Sequence, residues 1–292
     1  MFTGWKQATV ATYATKSDDV NAYYFGGDDD GKMVKKAWAY VKPQNDGDDK
    51  RWFYFDNTGA AIAEAGVKKI NGKFYAFEAP KDYASKMLSG VVALDVTADD
   101  VITDATATAK VDLSEWTLAD WTAKGYDNVF YFSGDEANDG SLKKNVTFSA
   151  EFKDDTYTLA VGNVGALKNG YVSKEKKYYK NGYLLAASED MRYEVIDVSY
   201  NGSKFALLGV SGGEVTSGTV ADTDGSYYYV SKATTTDPSV IYKADSSLPS
   251  AAKVAAAFKK DGEGAVVKID GIEYVVSSKD ATGFKYLVVT KK

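Results

Sequence analysis

Residues 52–77 read WFYFDNTGAAIAEAGVKKINGKFYAF, and the turns within this stretch decide the fold. An aromatic strand, Trp52-Phe53-Tyr54-Phe55, runs into a turn at Asp56-Asn57-Thr58-Gly59. A return strand of small residues is expected next, and a second turn at Asn71-Gly72 precedes Phe74 and Tyr75. Asn-Gly and Thr-Gly pairs between apolar runs signal hairpins because these residues tolerate the backbone angles of a tight turn. Such a hairpin cannot bury its own aromatic face. It needs a neighbouring repeat, a ligand or both.

The same pattern recurs on both sides of this stretch. Tyr23-Tyr24-Phe25 enters the acidic turn Asp28-Asp29-Asp30-Gly31, with Lys35-Lys36 and Trp38 beyond it. Phe130-Tyr131-Phe132 repeats the arrangement through Asp139-Gly140, Lys143-Lys144 and Phe148, which predicts two related halves. Weaker echoes follow at Tyr178-Tyr179-Lys180-Asn181-Gly182, at Asn201-Gly202, at Asp224-Gly225 and at Asp270-Gly271.

Composition agrees with a β-rich chain. Among 292 residues, 22 Tyr and 13 Phe stand beside 26 Gly and only 4 Pro, a mixture that favours short strands and turns. The 45% hydrophobic content is ample for packed cores. With 41 acidic against 35 basic side chains, the net charge of −6 and the lack of any dense basic run exclude a nucleic-acid partner. The paired lysines stand near turns and read as solvated faces.

The chain has no Cys and no His. Thiolate catalysis, disulfides and Cys-based zinc sites are therefore excluded, as are Ser-His triads and most other zinc sites. Carboxylates, Lys, Tyr and Ser remain, but no carboxylate pair stands in a context that raises one pKa, and no phosphate-binding glycine motif or nucleophile elbow is present. The chain is read as not an enzyme and without a cofactor. The acidic turns at 28–31, 45–49 and 135–140 do not match the EF-hand spacing, so they are read as polar turn chemistry, with no metal site. No apolar run is long enough to span a membrane. The start, MFTGWKQATV, lacks the character of a secretory signal, so an exported protein would begin before it.

Three helical segments are expected. PKDYASKMLSG (80–90) is read as a short helix, and LSEWTLADWTAK (113–124) as a helical turn capped by Ser114 with Trp116 and Trp121 facing inward. SAAKVAAAFKK (250–260) combines strong helix formers with Pro249 before it and Gly262 after it. Residues 91–111 read as connecting strands, and 265–292 as three strands around an Asp-Gly and an Ala-Thr-Gly turn.

At 52–77 the chain resembles the cell-wall-binding repeat of choline-binding surface proteins, glucan-binding domains of glucosyltransferases and the repetitive domains of clostridial toxins. Gly4-Trp5, Tyr23-Tyr24-Phe25, Gly31-Lys32-Met33 and Ala37-Trp38 resemble a further copy with expanded loops. The resemblance implies a mostly β fold of tandem β-hairpin repeats, β-solenoid-like, and an extracellular Gram-positive setting at the cell surface or cell wall. Choline sites in that family are aromatic boxes holding a quaternary ammonium by cation–π attraction. This chain departs from them at Val67, Phe74 and Ala76. The positions that match are Trp5, Tyr23, Tyr24, Trp38, Trp52, Tyr54 and Tyr75, which are the candidate ligand-binding residues.

Aromatic rings also stack on the apolar C–H faces of sugars. The chain is accordingly expected to be a non-catalytic surface module that binds cell-wall polysaccharide, teichoic acid or another glycan. The alternative is a structural or adhesive segment of a larger surface protein with protein partners, and a further one is a fragment of a glycan-active enzyme. The expected division is a repeat module over 1–90, a connecting segment with a second β module over 91–200, and a C-terminal β module with one helix over 201–292.

Overall fold

The computed structural model describes residues 2–11, 16–26, 31–45, 49–95, 108–124, 128–133, 139–199, 204–231, 241–244, 266–269, 272–281 and 284–291. The helix expected at 250–260 lies outside them, as do residues 28–30, 46–48 and 135–138 of the acidic turns. The fold is mostly β and is built of tandem hairpins, in two compact units, Met1–Leu167 and Lys168–Lys292.

In the first unit β1 (Gly4–Ala11) pairs with β2 (Lys16–Phe25), and β3 (Ala37–Val41) with β4 (Arg51–Phe55). β5 (Gly66–Ile70) pairs with β6 (Lys73–Phe77), and β7 (Met87–Leu88) adds to the edge of β6. β8 (Gly90–Leu94) is flanked by β9 (Thr108–Lys110) and β10 (Val129–Phe132); β11 (Thr147–Glu151) pairs with β12 (Thr156–Ala160). All these pairings are antiparallel.

The second unit continues the series. β13 (Gly170–Val172) and β15 (Tyr183–Leu184) flank β14 (Lys177–Lys180), and β16 (Tyr193–Asp197) pairs with β17 (Phe205–Gly209). The last sheet contains β18 (Gly218–Ala221), β19 (Tyr227–Val230), β20 (Ile241–Ala244), β21 (Val266–Ile269), β22 (Ile272–Ala281) and β23 (Phe284–Lys291). Its order is β18-β19-β20-β23-β22-β21, with the β20–β23 pair parallel. The three C-terminal strands fall where the Asp-Gly and Ala-Thr-Gly turns place them.

One device repeats along the chain. After its second strand a hairpin turns, and a single residue returns to bridge that strand: Phe25 to Met33, Phe55 to Ala61, Phe132 to Leu142, Val161 to Leu167, Leu208 to Glu214. The turn itself is shared in detail. Asp56, Gly162, Gly209 and Asp222 each donate their N–H to the carbonyl four residues on, and each accepts from a glycine three residues on. Those glycines, Gly59, Gly165, Gly212 and Gly225, all have φ between 74° and 98°, the left-handed region that L side chains avoid. The echo between the segments near 23 and 130 is likewise carried by hydrogen bonds: Val34 donates to the Tyr24 carbonyl, and Lys143 donates to that of Tyr131.

Stacking follows from strand alternation, which sends successive side chains to opposite faces. From the β3–β4 hairpin, Ala39, Val41, Phe53 and Phe55 join Trp5, Tyr24 and Ala22 of the first hairpin. From its other face, Trp38 and Tyr54 join Ile70, Tyr75 and Phe77 of the third. Val67, Ala76 and Leu88 then meet Val92, Phe130 and Phe132 of the next. In the second unit Tyr178 and Leu185 pack with Ala206 and Leu208, and Leu207 packs with Tyr228 and Val230. The aromatic face left open in one hairpin is thus covered by its neighbour.

Three expectations are corrected. The return strand after Gly59 does not form: the Ala61 N–H donates to the Ala22 carbonyl of the first hairpin and that of Ile62 to the Tyr54 carbonyl, so this segment ties hairpins together, and β4 takes β3 as its partner. The helix at 80–90 is replaced by a tight turn between Lys81 and Ala84, after which Met87 and Leu88 satisfy the edge of β6. Ser114 is not the cap; the Asp112 side chain accepts from the Ser114 N–H at 3.1 Å and caps a 3₁₀ turn, Leu113–Glu115. Thr117 caps α1 (Leu118–Lys124) by accepting the Asp120 N–H at 3.1 Å while its hydroxyl donates to the Asp120 carboxylate at 2.7 Å. Trp121 is fully buried against Phe152, whereas Trp116 is half-buried.

Candidate functional site

The seven aromatic candidates separate into four settings. Trp5 and Tyr24 are opposite each other on β1 and β2, and Trp5 makes edge contacts with Tyr24 at 5.5 Å and Phe53 at 4.9 Å between ring centroids. The Trp5 indole N–H donates to the Lys42 carbonyl at 2.7 Å. Both rings are therefore held within the first inter-hairpin core.

Trp38, Tyr54 and Tyr75 form the second setting. Trp38 lies 5.2 Å from Tyr54, 4.8 Å from Tyr75 and 5.9 Å from Phe77, centroid to centroid. A quaternary ammonium sits within about 6 Å of each ring face that holds it, so rings on either side of one must stand apart. Here they touch one another. Tyr54 and Tyr75 are only 9% and 5% exposed, and burial pushes the Tyr75 phenol above its ordinary pKa, with the charge of Asp139 adding to the effect. The residues that best match the family's box fill it themselves.

Several other ring faces carry the chain's own ammonium groups. Lys69 and Lys144 stand over Phe74, Lys168 over Tyr179, Lys204 over Tyr178 and Lys243 over Tyr228, at 5.0 to 6.0 Å from the centroids. Tyr23 borders an apolar cleft of about 430 Å³ on the first hairpin with Phe2, Phe25 and Met33, and there too a lysine, Lys6, stands 5.4 Å over the Phe2 ring. A second cation would meet this ammonium.

Trp52 is the exception. It pairs across the ladder with Tyr40, their rings 5.1 Å apart and inclined by 37°. Alternation puts both on the face that carries Trp38 and Tyr54, but they lie toward the other end of the hairpin, outside the packed cluster with Tyr75 and Phe77, and both stay half-buried. Together they border a cleft of about 560 Å³. Lys50, Arg51, Glu78 and Lys86 supply charged groups around it, with Ser89 and Lys110 completing the polar rim. Lys86 pairs with Glu78 at 3.1 Å. An aromatic pair flanked by hydrogen-bonding side chains matches what a sugar ring needs, a flat apolar face for its C–H groups and polar partners for its hydroxyls.

Tyr40 escaped the sequence reading although its signal was present: in Ala37-Trp38-Ala39-Tyr40-Val41 it shares the face of Trp38. Lys86 and Lys110 reach the cleft from segments distant in sequence, which no local motif discloses.

Acidic residues of the turns use their oxygens locally. Asp56 accepts from Thr58 and Ala60, Asp139 from Ser141 and Ser133, Asp197 from Ser199 and Asp224 from Ser226, the side-chain turn geometry typical of Asp. Among the described residues no group of three or more Asp or Glu is placed to hold a metal ion, and no helix is long and apolar enough to cross a membrane.

No family model matches the chain, and no curated protein does. Among solved structures it is similar to choline binding protein F from Streptococcus pneumoniae, at 16% identity over 88% of this chain and 82% of that one, with a TM-score of 0.27. CbpJ from Streptococcus pneumoniae TIGR4 is 14% identical over 97% of each chain, with a TM-score of 0.28. Choline binding protein F in the presence of a peptidoglycan analogue is 17% identical over 98% of this chain and 94% of that one, with a TM-score of 0.22.

Proposed function

We propose that the chain is a non-catalytic module of the cell surface that binds a cell-wall polymer or another glycan on the Tyr40–Trp52 platform. The observation that carries this reading is the contrast among the aromatic candidates. Trp5, Tyr24, Trp38, Tyr54 and Tyr75 are engaged with rings of their own or neighbouring hairpins, whereas Tyr40 and Trp52 form a half-buried pair beside a polar-rimmed cleft. Aromatic stacking on sugar C–H faces with hydrogen bonds from the rim needs no catalytic group. The setting proposed is extracellular, at a Gram-positive wall. The packed rings themselves favour a second reading, a structural or adhesive segment whose repeats only stack.

A sedimentation assay on Gram-positive cell walls with a neutral and anionic glycan panel tests the first reading. The intact chain is retained and Trp52→Ala is not, while its circular dichroism is unchanged. Equal retention of both proteins removes the platform from the account, and retention of neither leaves the stacking reading.

A further inference from the structure

The charge around the Trp52 cleft runs against that of the chain. The protein as a whole carries −6, yet the cleft is bordered by the cations Lys50, Arg51, Lys86 and Lys110, with Glu78 the acidic residue among its described lining. Glu78 is already paired with Lys86 at 3.1 Å, and Asp49, outside the lining, approaches Arg51 at 3.5 Å. Lys50, Arg51 and Lys110 are exposed, so their charged ends reach solvent at the mouth. Lys110 comes from β9, Arg51 from the start of β4 and Lys50 from just before it, so segments distant in sequence place cations beside one aromatic pair.

We infer that the cleft selects an anionic saccharide, one carrying phosphate or carboxylate groups, with the sugar face on Tyr40 and Trp52 and the anion toward Lys50, Arg51 and Lys110. This rests on the glycan reading of the platform and adds to it the charge of the ligand. Neutral glucans satisfy the rings but draw nothing from the positive charge at the rim. A choline group is repelled by them. Opposite charge at the rim raises encounter rate and specificity and weakens with salt.

Binding of poly(glycerol phosphate), polygalacturonate and neutral dextran is measured by calorimetry at low and high salt. The proteins compared are the intact chain, Lys50→Gln/Lys110→Gln and Trp52→Ala. The intact chain is expected to bind at least one of the two anionic polymers about tenfold more tightly than dextran, with the advantage falling as salt rises. Which anionic polymer binds tells phosphate from carboxylate. The double variant, changed only at exposed positions, should lose that advantage and bind the anionic polymers no more tightly than dextran, whereas Trp52→Ala should lose binding to all three. Equal affinity of the intact chain for dextran and both anionic polymers, or an advantage that survives in the double variant, overturns the charge selection while leaving the platform standing. Failure of the intact chain to bind any of the three overturns both.

Discussion

Trp38 and Phe77 lie parallel, their rings inclined by 3° with centroids 5.9 Å apart, although they belong to different hairpins. The stack closes the gap that a ligand would otherwise occupy between the β3–β4 and β5–β6 hairpins. It makes Trp38 a part of the fold.

Trp38→Ala is therefore expected to destabilise the first unit by about 3–5 kcal/mol, the usual cost of deleting a large aromatic from a packed site. Trp52→Ala removes a half-buried ring with one aromatic neighbour, and about 1–2 kcal/mol is expected. Urea unfolding followed by tryptophan fluorescence checks both. If Trp52→Ala proves the more damaging of the two, the division between packing ring and platform ring is wrong.

The same contacts bear on choline. With the Trp38 cluster closed and other ring faces covered by lysine ammonium groups, millimolar choline is expected to leave the fluorescence and the urea midpoint of the intact chain unchanged. A midpoint that rises with choline concentration, as mass action demands for any ligand of the native state, would contradict the closed cage.

How far the sequence discloses this arrangement depends on the range of the forces involved. Turn chemistry is local, so Asn71-Gly72, the aromatic strands and the C-terminal strands could all be read from neighbouring residues. Partner choice is not local. Nothing in 56–66 tells that Ala61 will donate to Ala22 or that β4 will pair backward with β3. The aromatic face of the 52–77 stretch cannot hide within one hairpin, yet ligand contact and neighbour contact leave the same trace in sequence. Only the stacking separates Trp38 from Trp52.

Asp139 ties the return segment after β10 to the β5–β6 hairpin. It pairs with Lys73, accepts from the Ser141 N–H at 3.0 Å and lies 3.1 Å from Lys143. Burial alone would raise its pKa, but Lys73, Ser141 and Lys143 together hold it well below the usual carboxylate range. A carboxyl depressed on folding adds stability above its unfolded pKa, near 4, and that stability is lost as pH falls toward the folded value. The urea midpoint of the intact chain should thus carry an acid limb below about pH 4 that is diminished in Asp139→Asn. An unaltered pH profile in the variant would show that the carboxylate charge contributes nothing there.

At the tip of the turn between Lys81 and Ala84, Asp82 and Tyr83 have φ of 51° and 64°. Two consecutive non-glycine residues in the left-handed region are strained, and Tyr83 is 47% exposed, so burial of its ring only partly compensates. Tyr83→Gly is expected to stabilise the first unit by about 1 kcal/mol. A lower thermal midpoint for Tyr83→Gly would mean that the exposed ring contributes more than its backbone costs.

Gly59 and Gly212 occupy the same place in the repeated turn, at φ of 90° and 74°, but their surroundings differ. A methyl on Gly59 would meet the Met33 sulfur at 2.9 Å, at the flexible end of a side chain that can swing away. A methyl on Gly212 would meet both a Leu184 methyl and the Leu185 backbone carbonyl oxygen at 2.9 Å, and the carbonyl cannot move without shifting the backbone that follows β15, where the Leu185 N–H is bonded to the Tyr178 carbonyl. Each Gly→Ala change forces an L side chain into the left-handed region at about 1–2 kcal/mol. Only Gly212→Ala adds a clash with backbone, so its total should exceed about 2 kcal/mol. Hydrogen exchange reports the two units separately: β17 should lose more protection in Gly212→Ala than β4 loses in Gly59→Ala. Equal losses would mean that the backbone angle alone sets the penalty and that the Leu185 carbonyl yields as readily as a methionine side chain.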